Sequence, residues 1–170
     1  DERIGALQYL HPLDVVEVAE VLDVVAHAIE EEVGRGVLTA QRDLVAVAFA
    51  LADAGVSRLV IHNRTRAKAE ELATAVAAAY PEVPVSVGAA DPDGCEIVVN
   101  TTSAGLHDSD PLPIEEKFLQ PGLLVAEIIM IPERTRLLES ALANGCKVQF
   151  GRHMLDKQID LIGGFLGCFQ

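Results

Sequence analysis

Past residue 37 the chain alternates between two periodicities, and this alternation limits the possible folds more than any other feature. Short apolar runs read as strands: LVIHN (59–63), VPVSVG (83–88), EIVVNTT (96–102), LLVAEII (123–129) and KVQFG (147–151). Between and after them lie stretches with apolar positions at helical spacing: RAKAEELATAVAAAY (66–80), TRLLESALANG (135–145) and HMLDKQIDLIGGFLG (153–167). Gly145 closes the second of these as a left-handed cap. Strands joined by crossover helices lie parallel, and the crossovers are right-handed. The expected fold class is therefore α/β, a doubly wound and mostly parallel sheet with helices on both faces. Its core must be aliphatic, because Trp is absent and aromatic residues make up 4% of the chain.

The first 36 residues follow a different pattern. PLDVVEVAEVLDVVAHAIEEEV (12–33) carries polar residues at 14, 17, 20, 23, 27 and 30, a narrow stripe on a helix that is otherwise apolar up to Glu31 and Glu32 at its end. A helix of this kind must be covered nearly all round, by the sheet or by a second chain. Gly34 and Gly36 interrupt it before Val37 and Leu38. The expected organisation is a helical arm over 1–36 and a sheet domain over 37–170. Residues 12–33 offer a possible homodimer surface.

Charge and cysteine usage exclude several classes of function. With 13 basic and 26 acidic residues the formal charge is −13. No basic stripe is available for a phosphate backbone, and an anionic membrane surface would repel the chain, so neither nucleic acid nor membrane is expected as a partner. Cys95, Cys146 and Cys168 show no CxxC spacing and read as free thiols in a reducing compartment. His27, His62, His107 and His153 are scattered, and no metal site is suggested. No uncharged apolar run approaches ~18 residues and no signal pattern opens the chain, so a soluble, cytoplasmic protein is expected.

Against this acidic background, SRLVIHNRTRAKAEEL (57–72) gathers cations at the end of one strand. In a doubly wound sheet, ligands bind outside the carboxyl ends of the strands. An acidic residue at this turn would bond a ribose 2′-hydroxyl. Asn63, Arg64 and Thr65 instead suit a 2′-phosphate, to which a guanidinium offers paired charged hydrogen bonds. Arg66 and Lys68 lie on the first turn of the following helix, whose N-terminus favours an anion. The plainer account has Thr65 as an N-cap and residues 64–68 as a solvated helix start.

Four ordered blocks resemble the cofactor-binding half of the shikimate dehydrogenase family. They are AVAFALADAGVSRLVIHNRTRAKAEELA, EIVVNTTSAGLHDSDPLP, VAEIIMIPERTRLLESALANGCKV and FGRHMLDKQIDLIGGFLG, together spanning about 45–167. The resemblance implies a Rossmann-like domain that binds NADP for the interconversion of 3-dehydroshikimate and shikimate. It implies that Asn63, Arg64, Thr65 and Lys68 hold the 2′-phosphate end and that Asn100, Thr101 and Ser103 line the strand end on the nicotinamide side. Gly151, Met154 and Leu155 would border the nicotinamide, and Gln158 would contact a small-molecule substrate, shikimate or a related compound.

The chain also departs from that family. The glycine-rich loop before the first crossover helix falls on Thr39, Ala40, Gln41, Arg42, Asp43 and Leu44, which include no glycine. Glycines there permit the tight turn and the close approach of backbone amides to the pyrophosphate. The family's catalytic Pro-x-Lys and Asn-Thr-Asp motifs do not occur in residues 1–36, and Met130 stands where the family has a tyrosine. His11 and Asp14 are near each other, but a helix entry explains them more simply. The catalytic residues stay unknown at this level. The expected activity of the chain alone is weak or absent. The alternatives are a fragment or engineered form of the enzyme, a non-catalytic Rossmann-like domain used for oligomerisation or partner binding, and an enzyme completed by a partner chain.

Overall fold

The computed structural model describes residues 6–10 and 40–152, Asp108 excepted. In chain order the elements are β1 (Ala6–Leu10), α1 (Ala40–Asp53), β2 (Leu59–Asn63), α2 (Arg66–Ala79), β3 (Val85–Val87), β4 (Ile97–Asn100), a 3-10 turn (Glu116–Phe118), β5 (Leu124–Glu127), α3 (Arg136–Ala143) and β6 (Lys147–Gln149). The strands form one sheet in the order β3-β2-β1-β4-β5-β6. That is the spatial order of a doubly wound dinucleotide-binding sheet.

The expected mixed α/β, Rossmann-like architecture is present, with one change of direction. β2 pairs parallel with β3, β4 with β5, and β5 with β6. The central strand β1 is antiparallel to both of its neighbours, Ala6 facing Asn63 and Leu10 facing Leu59 and Ile97. The segment assigned by sequence to an N-terminal arm thus contributes the middle strand. The long helix expected over 12–33 and the closing helix over 153–167, with Met154, Leu155 and Gln158, lie outside the described residues.

Strand periodicity divides the core between two faces. Leu59, Ile61, Val99 and Ala126 pack with α1 and α2, whereas Val60, Val98 and Val125 pack with α3 and the loop bearing Ile114. On α2 the buried residues are Ala69, Leu72, Ala73 and Val76, a single stripe at i, i+3, i+4 and i+7. Leu137 and Leu138 on α3 are fully buried, each contributing roughly 1.5–3 kcal/mol of apolar burial. Thr135 caps α3 by accepting from the Leu138 amide at 3.3 Å, and Gly145, the left-handed cap read from sequence, ends it at φ +79°.

Ala40–Leu44, which fall by resemblance where the family has its glycine-rich loop, are the first residues of α1. Alanine, glutamine, arginine and leucine are strong helix formers, and without a glycine nothing stops the helix from reaching back to residue 40.

Candidate functional site

The carboxyl ends of β2 and β4 lie on the same edge of the sheet and open into a cleft of about 430 Å³. Its walls are His62 and Asn63 at the end of β2 with Arg64 just after it, Thr102–Ala104 after β4, and residues 110–113. Such a volume falls in the range that small-molecule ligands occupy.

The β2 wall contains an unsatisfied donor. Asn63 is 7% exposed, and its Oδ1 accepts from the Thr65 amide at 2.9 Å. Its Nδ2 has no partner. A buried donor left so costs about 1–3 kcal/mol until something accepts from it. Thr65 occupies the N-cap position of α2 in extended geometry, yet its hydroxyl makes no cap bond. The plain N-cap account of this turn therefore fails at the side chain. Arg64 is exposed and has no ion pair among the described residues, leaving its guanidinium available at the rim. Arg66 is engaged with Glu70 at 2.7 Å in an exposed i,i+4 pair, an ordinary surface interaction. Lys68 is half-buried and outside the cleft wall. His62 places Nδ1 3.1 Å from the Gly88 carbonyl oxygen.

The β4 wall is stiffened by a buried network. Asn100 is fully buried, and its Oδ1 accepts from the Thr102 amide at 3.0 Å and the Thr102 hydroxyl at 2.7 Å. Its Nδ2 donates to Glu127 Oε1 at 2.7 Å and to the Ala104 carbonyl at 3.2 Å. The Thr102 hydroxyl also accepts from the Ala104 amide at 2.9 Å. Glu127, 2% exposed, accepts a second bond from the Thr135 hydroxyl. Burial pushes the Glu127 carboxyl above the usual carboxylate range, and the donors Thr135 and Asn100 pull the other way.

The site residues read from sequence are thus distributed unevenly. Asn63, Arg64 and Ser103 line the cleft and Thr65 adjoins it, whereas Asn100 and Thr101 are buried beneath it. The amide of Asn100 is spent on the turn, so what it offers a ligand is the shape of Thr102–Ala104. Gly151 is buried against the end of β5, where an added Cβ would meet the Ile128 backbone carbon at 2.7 Å and oxygen at 2.8 Å. Sequence reading passed over His62, Thr102 and Asp110 as site residues, and over Glu127. The signal for Glu127 was present, since a lone acid in an apolar strand is seldom fully buried without partners.

The adenosine-phosphate end of a phosphorylated dinucleotide fits these residues, through the orphaned Asn63 Nδ2, the uncommitted Thr65 hydroxyl and the exposed Arg64. Among the described residues the pyrophosphate end has no glycine cradle. The carboxyl end of β1 lies at the opposite edge of the sheet, facing Leu59 and Ile97, so β1 cannot lead there into a glycine turn. Among the described residues no cluster of His, Cys, Asp and Glu is arranged to hold a metal ion, and no helix is long and apolar enough to cross a membrane. Cys95, half-buried, and Cys146, buried, are free thiols.

No protein-family model matches the chain. In sequence it is 38% identical over 117 residues to the shikimate dehydrogenase (NADP(+)) of Moorella thermoacetica, covering 65% of this chain and 40% of that protein. In structure it resembles the ligand-free 5-ketofructose reductase of Gluconobacter sp. strain CHM43, with a TM-score of 0.69 and 28% identity over 85% of this chain and 57% of that one. It also resembles a shikimate dehydrogenase in complex with NADP+, with a TM-score of 0.64 and 28% identity over 81% of this chain and 52% of that one. The chain spans about 40% of the length of the curated relatives it matches.

Proposed function

We propose that this chain, a relative of the shikimate dehydrogenases over the stretch it shares with them, is the nucleotide-binding part of an NADP-dependent oxidoreductase interconverting 3-dehydroshikimate and shikimate. The observation that carries this reading is the β2 end, where a buried donor without an acceptor stands beside a free guanidinium. Arg64, Asn63 and Thr65 hold the 2′-phosphate, and the locked turn Thr102–Ala104 shapes the wall beside it. Lys68, Asn100, Thr101 and Gly151 act behind these groups, and Met154, Leu155 and Gln158 belong to the reading by resemblance. A bound nicotinamide would supply the hydride, and the protein contributes placement and proton handling.

Proton handling is the weak point of the isolated chain. Met130, 47% exposed, carries no proton to give, and among the described residues the titratable side chains that line the cleft, Arg64 apart, are His62 and Asp110. Without a donor to the developing alkoxide, turnover is slow. The reading includes a cytoplasmic location, a small-molecule substrate, no nucleic-acid or membrane partner, and a homodimer through residues 12–33. The likeness to a 5-ketofructose reductase favours a second substrate class, a ketose, on the same nucleotide site. A non-catalytic scaffold is the rival from a different class.

Titration calorimetry with NADP and NAD tests the reading. NADP is expected to bind weakly, with Kd roughly 0.1–1 mM, because the pyrophosphate lacks its glycine turn. Arg64→Ala should lower NADP affinity about tenfold or more, the value of a lost charged hydrogen bond, and leave NAD nearly unchanged. Equal losses for both nucleotides reject the 2′-phosphate role. Absence of any nucleotide effect on binding or melting, with a dimer by light scattering, favours the scaffold.

A further inference from the structure

Glu127 is the buried group to which the proposed function gives no part. It faces Asn100 in parallel register across β4 and β5, and the pair shares the sheet face of Val98 and Val125, on which α3 packs. Neither side chain lines the cleft. Three of the hydrogen bonds of the Asn100 side chain go to the turn just beyond it: Oδ1 accepts from the Thr102 amide and the Thr102 hydroxyl, and Nδ2 donates to the Ala104 carbonyl. Those partners would travel with the turn if it moved. The bond from Nδ2 to Glu127 Oε1, at 2.7 Å, is the one that reaches another element. Glu127 is fixed in turn by the Thr135 hydroxyl, whose oxygen also accepts from the Leu138 amide on the first turn of α3. A continuous line of hydrogen bonds therefore runs from α3 through β5 and β4 to the cleft wall. At its end is Ser103, half-buried and lining the cleft. Its neighbours are tied together, the Thr102 hydroxyl accepting from the Ala104 amide at 2.9 Å. The Ser103 carbonyl accepts from the Leu106 amide at 3.2 Å, while its own amide and hydroxyl donate to no described residue.

We infer that Glu127 is a positioning residue: acting through Asn100, it sets the turn Thr102–Ala104 and so aims the two unspent Ser103 donors at the dinucleotide, while touching no ligand itself. This rests on the proposed nucleotide site. The Ser103 donors are neutral and stand on the β4 side of the cleft, whereas the groups that read the 2′-phosphate come from the end of β2. Disturbing the line from behind therefore weakens the phosphorylated and the unphosphorylated dinucleotide together and leaves their ratio unchanged. A purely structural account, in which the same bonds only satisfy a buried carboxyl, predicts something else. In that account variants lose stability, but the protein that stays folded binds nucleotide as before.

The test is titration of NADP and of NAD at a single pH, followed by amide NMR, which reads weak binding and verifies folding in the same spectra. Glu127→Ala removes the anchor. Asn100→Asp sets an oxygen where Nδ2 stands, against Glu127 and the Ala104 carbonyl. The exchange of Asn100→Asp together with Glu127→Gln reverses the pair. The glutamine amide then donates to one aspartate oxygen, the other still accepts from Thr102, and the Thr135 hydroxyl still donates to the glutamine carbonyl; the 3.2 Å bond to Ala104 is given up. Each single variant should weaken NADP and NAD alike by about three- to tenfold, the worth of one hydrogen bond to a charged group. The exchange should return both to within about threefold of the wild type, a coupling that independent sites would not show. Single variants that stay folded and bind as the wild type does, a loss confined to NADP, or an exchange that binds worse than Asn100→Asp alone overturns the role of Glu127 while leaving the Arg64 reading intact. Where Glu127→Ala does not fold, Asn100→Asp and the exchange decide. Failure of the wild type to bind either nucleotide overturns both readings.

Discussion

A carboxyl as buried as that of Glu127 persists in a fold only when its lone pairs are answered, and here Asn100 and Thr135 answer them from two different elements. Because burial raises its pKa, the folded state holds this proton more tightly than the unfolded chain does. The stabilisation from protonation is complete below the ordinary glutamate value of about 4.3 and is lost as pH rises through the raised folded value. Glu127→Gln, which cannot ionise, should therefore gain on the wild type as pH climbs from about 4 to 8 in urea-unfolding series. A difference that stays constant over that range would mean the carboxyl is ionised at no extra cost. Glu127→Ala, by contrast, takes one of two acceptors from the buried Asn100 amide and the acceptor of the Thr135 hydroxyl, and should destabilise at every pH. At this scale the sequence was partly legible. Asn63, Arg64 and Thr65 were recognisable because a cationic turn stands out in an acidic chain. The change in Asn100, from ligand wall to scaffold, was not, because its partner Glu127 is 27 residues away in sequence.

The helices and strands between residues 59 and 151 follow from local chemistry, and the structure matches the sequence reading there to within a few residues at each end. β2 occupies Leu59–Asn63 as read, and Thr135 and Gly145 bracket α3. These elements carry their signals within themselves, as alternation, capping residues and a glycine with positive φ. What lies between elements is less visible. Gly151, after β6, touches the main chain at the end of β5, and an added methyl has no flexible side chain to push aside. Gly151→Ala is expected to destabilise by about 1–3 kcal/mol, the usual range for overpacking. By differential scanning calorimetry this is a drop of roughly 2–12 °C. An unchanged melting temperature would show that β5 and β6 separate freely at that end.

For the whole molecule, the strand that completes the sheet is β1. Its backbone joins β2 and β3 on one side to β4, β5 and β6 on the other, with Gln8 facing both Ile61 and Val99. Gln8→Pro removes a ladder donor from a central strand, a position from which proline is effectively excluded, against a total stability of roughly 5–15 kcal/mol. The urea midpoint should fall steeply, and an unaltered one would show that the two half-sheets do not depend on this strand. The amino-acid sequence on its own determined the α/β class, the aliphatic two-faced core and the cationic turn at the end of β2, because periodicity, apolar composition and charge are properties of neighbouring residues. Only the tertiary structure decided that residues 6–10 enter the middle of the sheet in the opposite sense, that α1 begins where a glycine turn would stand, and that Asn63 keeps a donor unspent. Each of these depends on which distant backbone lies alongside, and strand alternation reads the same in either direction.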